Sequence, residues 1–188
     1  GQPHRSVRPR DVDLSVPSGL EIRFRELDQR FDSLYRVNVA GYISEQLDSY
    51  GLTPDRIVFE LTESYLVDQV DHARATLFEL DELGITLAVD DFGTGYSTFD
   101  YLLSLPVSVV KIDPAFTHRL LERRAAAMLR GLTSACRSLD MSVVVEGVEN
   151  LAHYEAARAA GATHAQGYYL ARPMPLAELE AAPMRHVA

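Results

Sequence analysis

The sequence predicts an α/β protein built on a parallel sheet, and three observations carry that prediction. From Gly41 onward, short Val/Ile/Leu-rich runs alternate with amphipathic stretches. Runs that are apolar at nearly every position suit parallel strands covered on both faces. Carboxylates close four of them: Glu60 and Glu63 after RIVF, Asp90 and Asp91 after ITLAV, Asp113 after VSVVKI, and Glu146 and Glu149 after MSVVV. In strand-helix folds the ligand sites gather where parallel strands end. Acidic groups placed there repeatedly are costly unless they hold cations. Right-handed βα units close either as an open doubly wound sheet or as a (βα)8 barrel, and alternation alone admits both.

Each element has its own signal. Residues 1–20 contain Pro3, Pro9 and Pro17 and no apolar period, and read as a tail or linker. Between 21 and 41, LEIRF and LYRVNVA alternate like short strands, while ELDQRFDSLY reads equally well as a helical turn. Ile43 and Leu47, one helical turn apart, predict a helix ended before Gly51. RIVFELTE predicts a strand, and Ala73, Leu77, Leu80 and Leu83 a helix stopped by Gly84. There follow ITLAVDD as a strand, YSTFDYLLSL as a short helix, VSVVKID as a strand, one long helical stretch to the neighbourhood of Asp140, and MSVVVEG as a strand. Asn150 caps the next helix and Gly161 ends it; HAQGYY is a last strand, with ARPMP and a short C-terminal helix behind it.

Residues two apart in a strand share a face. Val58 then lies beside Glu60, Ala88 beside Asp90, Val109 beside Lys111, Val144 beside Glu146 and His164 beside Gln166. Small or branched residues under a polar rim are what a barrel interior needs.

Composition narrows the function. A chain of 188 residues with 47% hydrophobic content is large enough for one full core. A formal net charge of -9 argues against non-specific binding to nucleic acid or anionic lipid, so a phosphate ligand would need metal ions. Cys136 stands alone, which forbids an intrachain disulfide and favours the cytoplasm. No apolar run approaches the ~18 residues of a membrane span, and the first residues lack the apolar core of a signal peptide. The chain opens on Gly1 rather than Met, as a processed product or excised fragment does.

The residues that carry chemistry are oxygen donors. DDFGTGY by itself reads as well as a turn. Together with Glu60 and Glu146, however, the vicinal Asp90 and Asp91 supply the ligands that Mg²⁺ or Mn²⁺ prefers. Lys111 adds a cation that can orient a water or stabilise phosphate charge. A pair of metal ions about 3.5–4 Å apart supports in-line hydrolysis of a phosphodiester. The six histidines include no pair at HExxH spacing, so zinc chemistry has little support, and His164 reads as structural. Cys136 is placed with Met128, Leu132 and Leu139 on a core-facing helical stripe. ERRAAAMLR reads as a solvated helix start or a partner contact, and Tyr168 and Tyr169 as packing or base-stacking residues.

The ordered set GLTPDRIVFELTES, ITLAVDDFGTGYST, LPVSVVKID, VVVEGVEN and AQGYYLARPMP resembles the EAL-domain family, the cyclic di-GMP phosphodiesterases and their inactive relatives. The motif match runs from 41 to the neighbourhood of 180; residues 21–180 are taken as the EAL-like domain and 181–188 as a C-terminal tail. The resemblance implies a TIM-like (βα) barrel hydrolysing cyclic di-GMP to linear pGpG at a two-metal Mg²⁺ or Mn²⁺ site. It implies Glu60, Asp90 and Asp91 as metal ligands, Lys111 as the residue that positions the attacking water, and Glu146 as the carboxylate beside metals and water. Gln166 and Glu149 match substrate-site residues. Glu63 matches the tether of the loop that begins Gly93, Thr94, Gly95, a loop that couples ligand, metal and dimer formation in the family.

The departures carry implications too. The family's Glu-Ala-Leu tripeptide, whose Glu is a metal ligand, is absent. Residues 1–40 are too few for the strand-helix-strand segment that would carry it, at about 30 residues per crossover unit. The barrel is therefore expected to lack its first one or two strands. Asn38, in RVNVA, is the candidate for the family's Asn ligand, although it lies nearer Glu60 than the family spacing; the ungapped register puts Asp28 there. An incomplete barrel has open edges, so a homodimer or a larger multidomain parent is expected. The alternative function is a catalytically inactive EAL domain that binds cyclic di-GMP or a protein partner.

Overall fold

The computed structural model describes residues 20–22, 38–93, 99–175 and 178. Side chains within 20–22, 64–73 and 99–101 are not part of that description. The order of elements is β1 (Leu20–Ile22), α1 (Val39–Tyr50), β2 (Ile57–Thr62), α2 (Glu63–Glu82), β3 (Thr86–Phe92), α3 (Phe99–Ser104), β4 (Val109–Ile112), α4 (Pro114–Thr117), α5 (Arg123–Ser138), β5 (Ser142–Val145), α6 (Leu151–Ala159) and β6 (His164–Ala165).

Among the described residues the six strands form one sheet in the order β1-β2-β3-β4-β5-β6, and every pair is parallel. That order decides between the two architectures left open by alternation. A doubly wound sheet reverses its strand order at a switch point, whereas a (βα) barrel adds each strand beside the last. The architecture is an incomplete TIM-like barrel, with β1 and β6 as the two ends of the sheet.

Alternation along the strands separates two layers. Ile57, Phe59 and Leu61, Leu87 and Val89, Val110 and Ile112, and Val143 and Val145 are buried in one cluster with Leu77, Leu80, Leu129 and Ala157 of the helices. The opposite sheet face carries Val58, Val109, Val144 and His164, all only half-buried. In a closed barrel those positions would be interior.

Local chemistry explains the helix ends. Asn38 caps α1, and Gly51 closes it in a left-handed conformation (φ 64°) while donating to the carbonyls of Leu47 and Asp48. The strand-like tail of LYRVNVA is therefore a helix start from Val39; the preceding part lies outside the described residues. The single long helix expected after KID is two, because Asp113 and Pro114 start the short α4 and Glu122 starts α5 afresh. The buried stripe of α5 is Ala125, Leu129, Thr133 and Cys136. Met128 instead is 69% exposed and Leu139 is exposed too, which corrects the stripe expected from spacing. HAQGYY pairs only through His164 and Ala165.

Candidate metal centre

The sheet presents its carboxylates at one rim. Glu60 comes from β2, Asp90 and Asp91 from β3, Lys111 from β4, and Glu146 from the residue after β5. Neighbouring residues on a regular strand point to opposite faces, so Asp90 and Asp91 should not serve one site. A bulge removes the conflict: Val89 pairs with Val110 and Phe92 with Ile112, leaving one extra residue on β3. Asp91 occupies it with φ 55°, a left-handed conformation that Asp tolerates better than most residues. One carboxylate oxygen each of Asp90, Asp91 and Glu146 then lies within 4.8 Å of the others.

Lys111 sits among these acids. Its side chain is 3% exposed, and Nζ contacts Glu60 Oε1, Glu146 Oε1 at 3.0 Å and Asp90 Oδ1 at 3.2 Å. Burial by itself lowers a lysine pKa, but the hydrogen bond to Glu60 and the charges of Glu146, Asp90 and Glu60 outweigh it and hold the ammonium above the usual lysine range. Glu60, Asp90 and Glu146 contact this one lysine and Asp91 lies beside Asp90 and Glu146, which leaves an excess of three negative charges if all four acids ionise. Clustered hard oxygen donors with excess negative charge fit Mg²⁺ or Mn²⁺.

Glu63, at the first position of α2, is 3% exposed, and its Oε2 accepts the Gly93 N–H at 2.9 Å. The loop after β3 is thus held at its first residue; Thr94 and Gly95 lie outside the described residues. Glu149 and Gln166 are exposed on the segments following β5 and β6. Glu149 Oε1 stands 3.7 Å from His118 Nε2, a partner not expected from the sequence. Two other expectations meet competing roles. Asn38 is exposed, and its Oδ1 accepts the Gly41 N–H at 2.8 Å as the α1 cap. Asp113 accepts the Ala115 N–H at 2.6 Å as the α4 cap, so the acid that closes VSVVKI serves a helix rather than the metal cluster.

The segments behind the rim are tightly joined. Gln166 N donates to Val145 O at 2.8 Å, and Val148 N donates back to Gln166 O at 3.0 Å. A Cβ on Gly167 would fall 2.2 Å from Val148 O and 2.3 Å from Val148 N, so only glycine allows this approach.

An incomplete parallel barrel with a carboxylate-lysine cluster at its strand ends defines the class: a βα-barrel domain with a candidate metal site at its rim. Residues 17–173 match the model of the EAL domain, and the chain belongs to the EAL-domain family. It is 37% identical over 171 residues to the oxygen sensor protein DosP of Escherichia coli, covering 90% of this chain and 21% of DosP. It is also 37% identical over 131 residues to MucR of Pseudomonas aeruginosa, named a bifunctional diguanylate cyclase/cyclic di-GMP phosphodiesterase, covering 69% of this chain and 19% of MucR. The chain thus spans about a fifth of these relatives. A solved PaMucR phosphodiesterase complex with c-di-GMP superposes with a TM-score of 0.72 at 30% identity, over 86% of this chain and 63% of that one. BlrP1 of Klebsiella pneumoniae, solved with manganese and cyclic di-GMP, gives 0.67 at 29% identity, over 70% of this chain and 34% of that one.

Proposed function

We propose that this chain is the catalytic part of a metal-dependent phosphodiesterase that hydrolyses cyclic di-GMP to linear pGpG. The observation that carries the reading is the convergence of Asp90, Asp91 and Glu146 within 4.8 Å beside the buried Lys111. The phosphodiesterase name of MucR and the cyclic di-GMP complexes of PaMucR and BlrP1 support the choice of substrate.

In this reading Glu60, Asp90, Asp91 and Glu146 hold two Mg²⁺ or Mn²⁺ ions, which when bound supply Lewis acidity and make a water more acidic. Lys111 remains an ammonium, orients the attacking oxygen and stabilises charge gathering on the phosphate. Glu146 would accept the proton that water gives up as its oxygen bonds to phosphorus, one phosphoester bond breaks, and the leaving ribose oxygen takes up a proton from solvent. Glu149 and Gln166 contact the substrate from the rim. Glu63 fixes the start of the loop Gly93, Thr94, Gly95. Asn38 stays outside the set because its side-chain oxygen is committed to the α1 cap.

The functional unit is residues 21–180, working as a homodimer or inside a larger multidomain parent; the half-buried Val58, Val109 and Val144 on the inner face of the sheet support this. The lone, buried Cys136 supports a cytoplasmic setting. Among the described residues no helix is long and apolar enough to cross a membrane.

A second reading, an inactive domain that senses cyclic di-GMP or contacts a protein, is favoured by the direct ion pairs of Lys111 with Glu60, Asp90 and Glu146, which engage oxygens that an ion would need. One experiment separates the two. Purified chain with Mn²⁺ and cyclic di-GMP is expected to yield pGpG by chromatography, and Asp91→Asn or Glu146→Gln to abolish that yield. Heat of binding in Ca²⁺ without turnover in Mn²⁺ would mark the sensor. Neither heat nor turnover would reject both ligand-based roles.

A further inference from the structure

Of the 18 lysines and arginines in the sequence, Lys111 is the only lysine. The difference matters among carboxylates, because a guanidinium is a broad planar fork whereas an ammonium is a compact point charge. Such a charge gathers oxygens around itself much as a metal ion does. Lys111 Nζ touches Glu60 Oε1 and lies 3.0 Å from Glu146 Oε1 and 3.2 Å from Asp90 Oδ1, with its side chain 3% exposed. One ammonium thus takes an oxygen from β2, from β3 and from the residue after β5.

The acids around it fall into two sets. Asp90, Asp91 and Glu146 each bring an oxygen within 4.8 Å of the others, and among the described residues Glu60 is outside that group. Strand register gives the reason. Glu60 pairs with Ala88, two residues short of Asp90, so its side chain starts about 6–7 Å deeper along the strand direction. An ion on Asp90, Asp91 and Glu146 can be held at the rim. A deeper ion, on Glu60 together with Asp90 or Glu146, needs its oxygens at about 2.0–2.1 Å. That is the space Nζ fills while it touches the same three acids, and two cations cannot share it.

We propose that Lys111 gates the second ion: its ammonium holds the deeper position, so the rim ion loads first and the deeper one only when Lys111 gives up Glu60. The inference rests on the two-ion phosphodiesterase reading given above and adds an order of loading to it. Charge makes the order steep. With all four acids ionised, Lys111 leaves three negative charges; one divalent ion reduces them to one, and a second turns the cluster positive. Removing the lysine charge makes the second step far more favourable, while the first already meets a strongly negative site. The singly loaded protein is then a resting state, and hydrolysis depends steeply on the concentration of free divalent ion.

Because Lys111 is the only lysine, isotopically labelled lysine gives one side-chain Cε signal in the full chain, which reports the gate without any substitution. Calorimetric titration with Mg²⁺ resolves the binding steps, and nuclear magnetic resonance follows the lysine through them. The Lys111 signal is expected to shift mainly in the second step. Lys111→Met is expected to tighten that step by about tenfold or more, and Lys111→Arg, which keeps the charge, to leave it weak. Should the parent take up a single ion, a second step appearing in Lys111→Met supports the gate and its absence overturns it. The labelled parent decides the matter even where the variant folds poorly. A lysine signal that completes its shift with the first ion, or stays fixed while both bind, overturns the gate and leaves the phosphodiesterase reading standing. Absence of any Mg²⁺ or Mn²⁺ binding by the parent chain overturns both.

Discussion

Asp91 holds a backbone conformation that few side chains adopt (φ 55°), and it does so inside a strand. The strain, about 1 kcal/mol for a non-glycine residue, lets two neighbouring carboxylates serve one site. Asparagine tolerates the same conformation, so Asp91→Asn changes charge with little change in shape. It should lower pGpG formation on the order of 100-fold or more and weaken Mn²⁺ binding, read by chromatography and by metal titration. Lys111 is the complementary case, since removing one member of a buried ionic cluster strands its partners. In EDTA, Lys111→Met should lose about 3–5 kcal/mol in urea unfolding. The pH dependence has a definite sign. The folded pKa of Lys111 is raised above an unfolded value of about 10.4. Its contribution is therefore complete below that value and disappears only as pH climbs through the raised one. The gap between parent and variant that Lys111 causes should stay level from pH ~7 to ~9.5.

At the level of elements, the joint between the segments after β5 and β6 depends on one missing methyl group. Gly167→Ala must push Val148 or its own segment aside, because the new carbon would sit 2.2 Å from a carbonyl oxygen. A loss of about 1–3 kcal/mol is expected from such overpacking, together with weaker cyclic di-GMP binding, measured by thermal melting and calorimetry. This joint was not legible in the sequence, where AQGYY read as strand. Close backbone approach leaves no periodic mark, and two residues of β6 are too few to reveal one. The strands themselves were legible, since Val/Ile runs ending in acids are the direct imprint of two-sided burial with a functional rim. The helix after KID was misread as continuous because Asp113 looked like one more rim carboxylate, whereas its oxygen serves a backbone N–H. Spacing likewise put Met128 on the buried stripe of α5, but the face is set by Ala125, Leu129, Thr133 and Cys136. Cys136 belongs to both stripes and Leu132 packs at the core's edge, while Met128 and Leu139 fall outside it. The left-handed Asp91 was hidden for another reason: vicinal acids advertise a site, but only the extra residue opposite β4 lets both acids reach it.

For the whole molecule, the described strands form one sequential parallel sheet with β1 and β6 at its ends, and its inner face is unevenly covered: Ala88, Asp90 and Lys111 are buried. Val58, Val109 and Val144 on that face are half-buried where a closed barrel would enclose them. Sedimentation at increasing concentration should show self-association; a monomer across the micromolar range that binds no hydrophobic dye would count against a homodimer. The lysine enclosed by acids has a consequence for how such a protein lives with its metals. A chain that brings its own counterion need not wait for magnesium or manganese to assemble. Starvation for those ions should silence the chemistry while the scaffold survives, so activity can return on resupply without new synthesis.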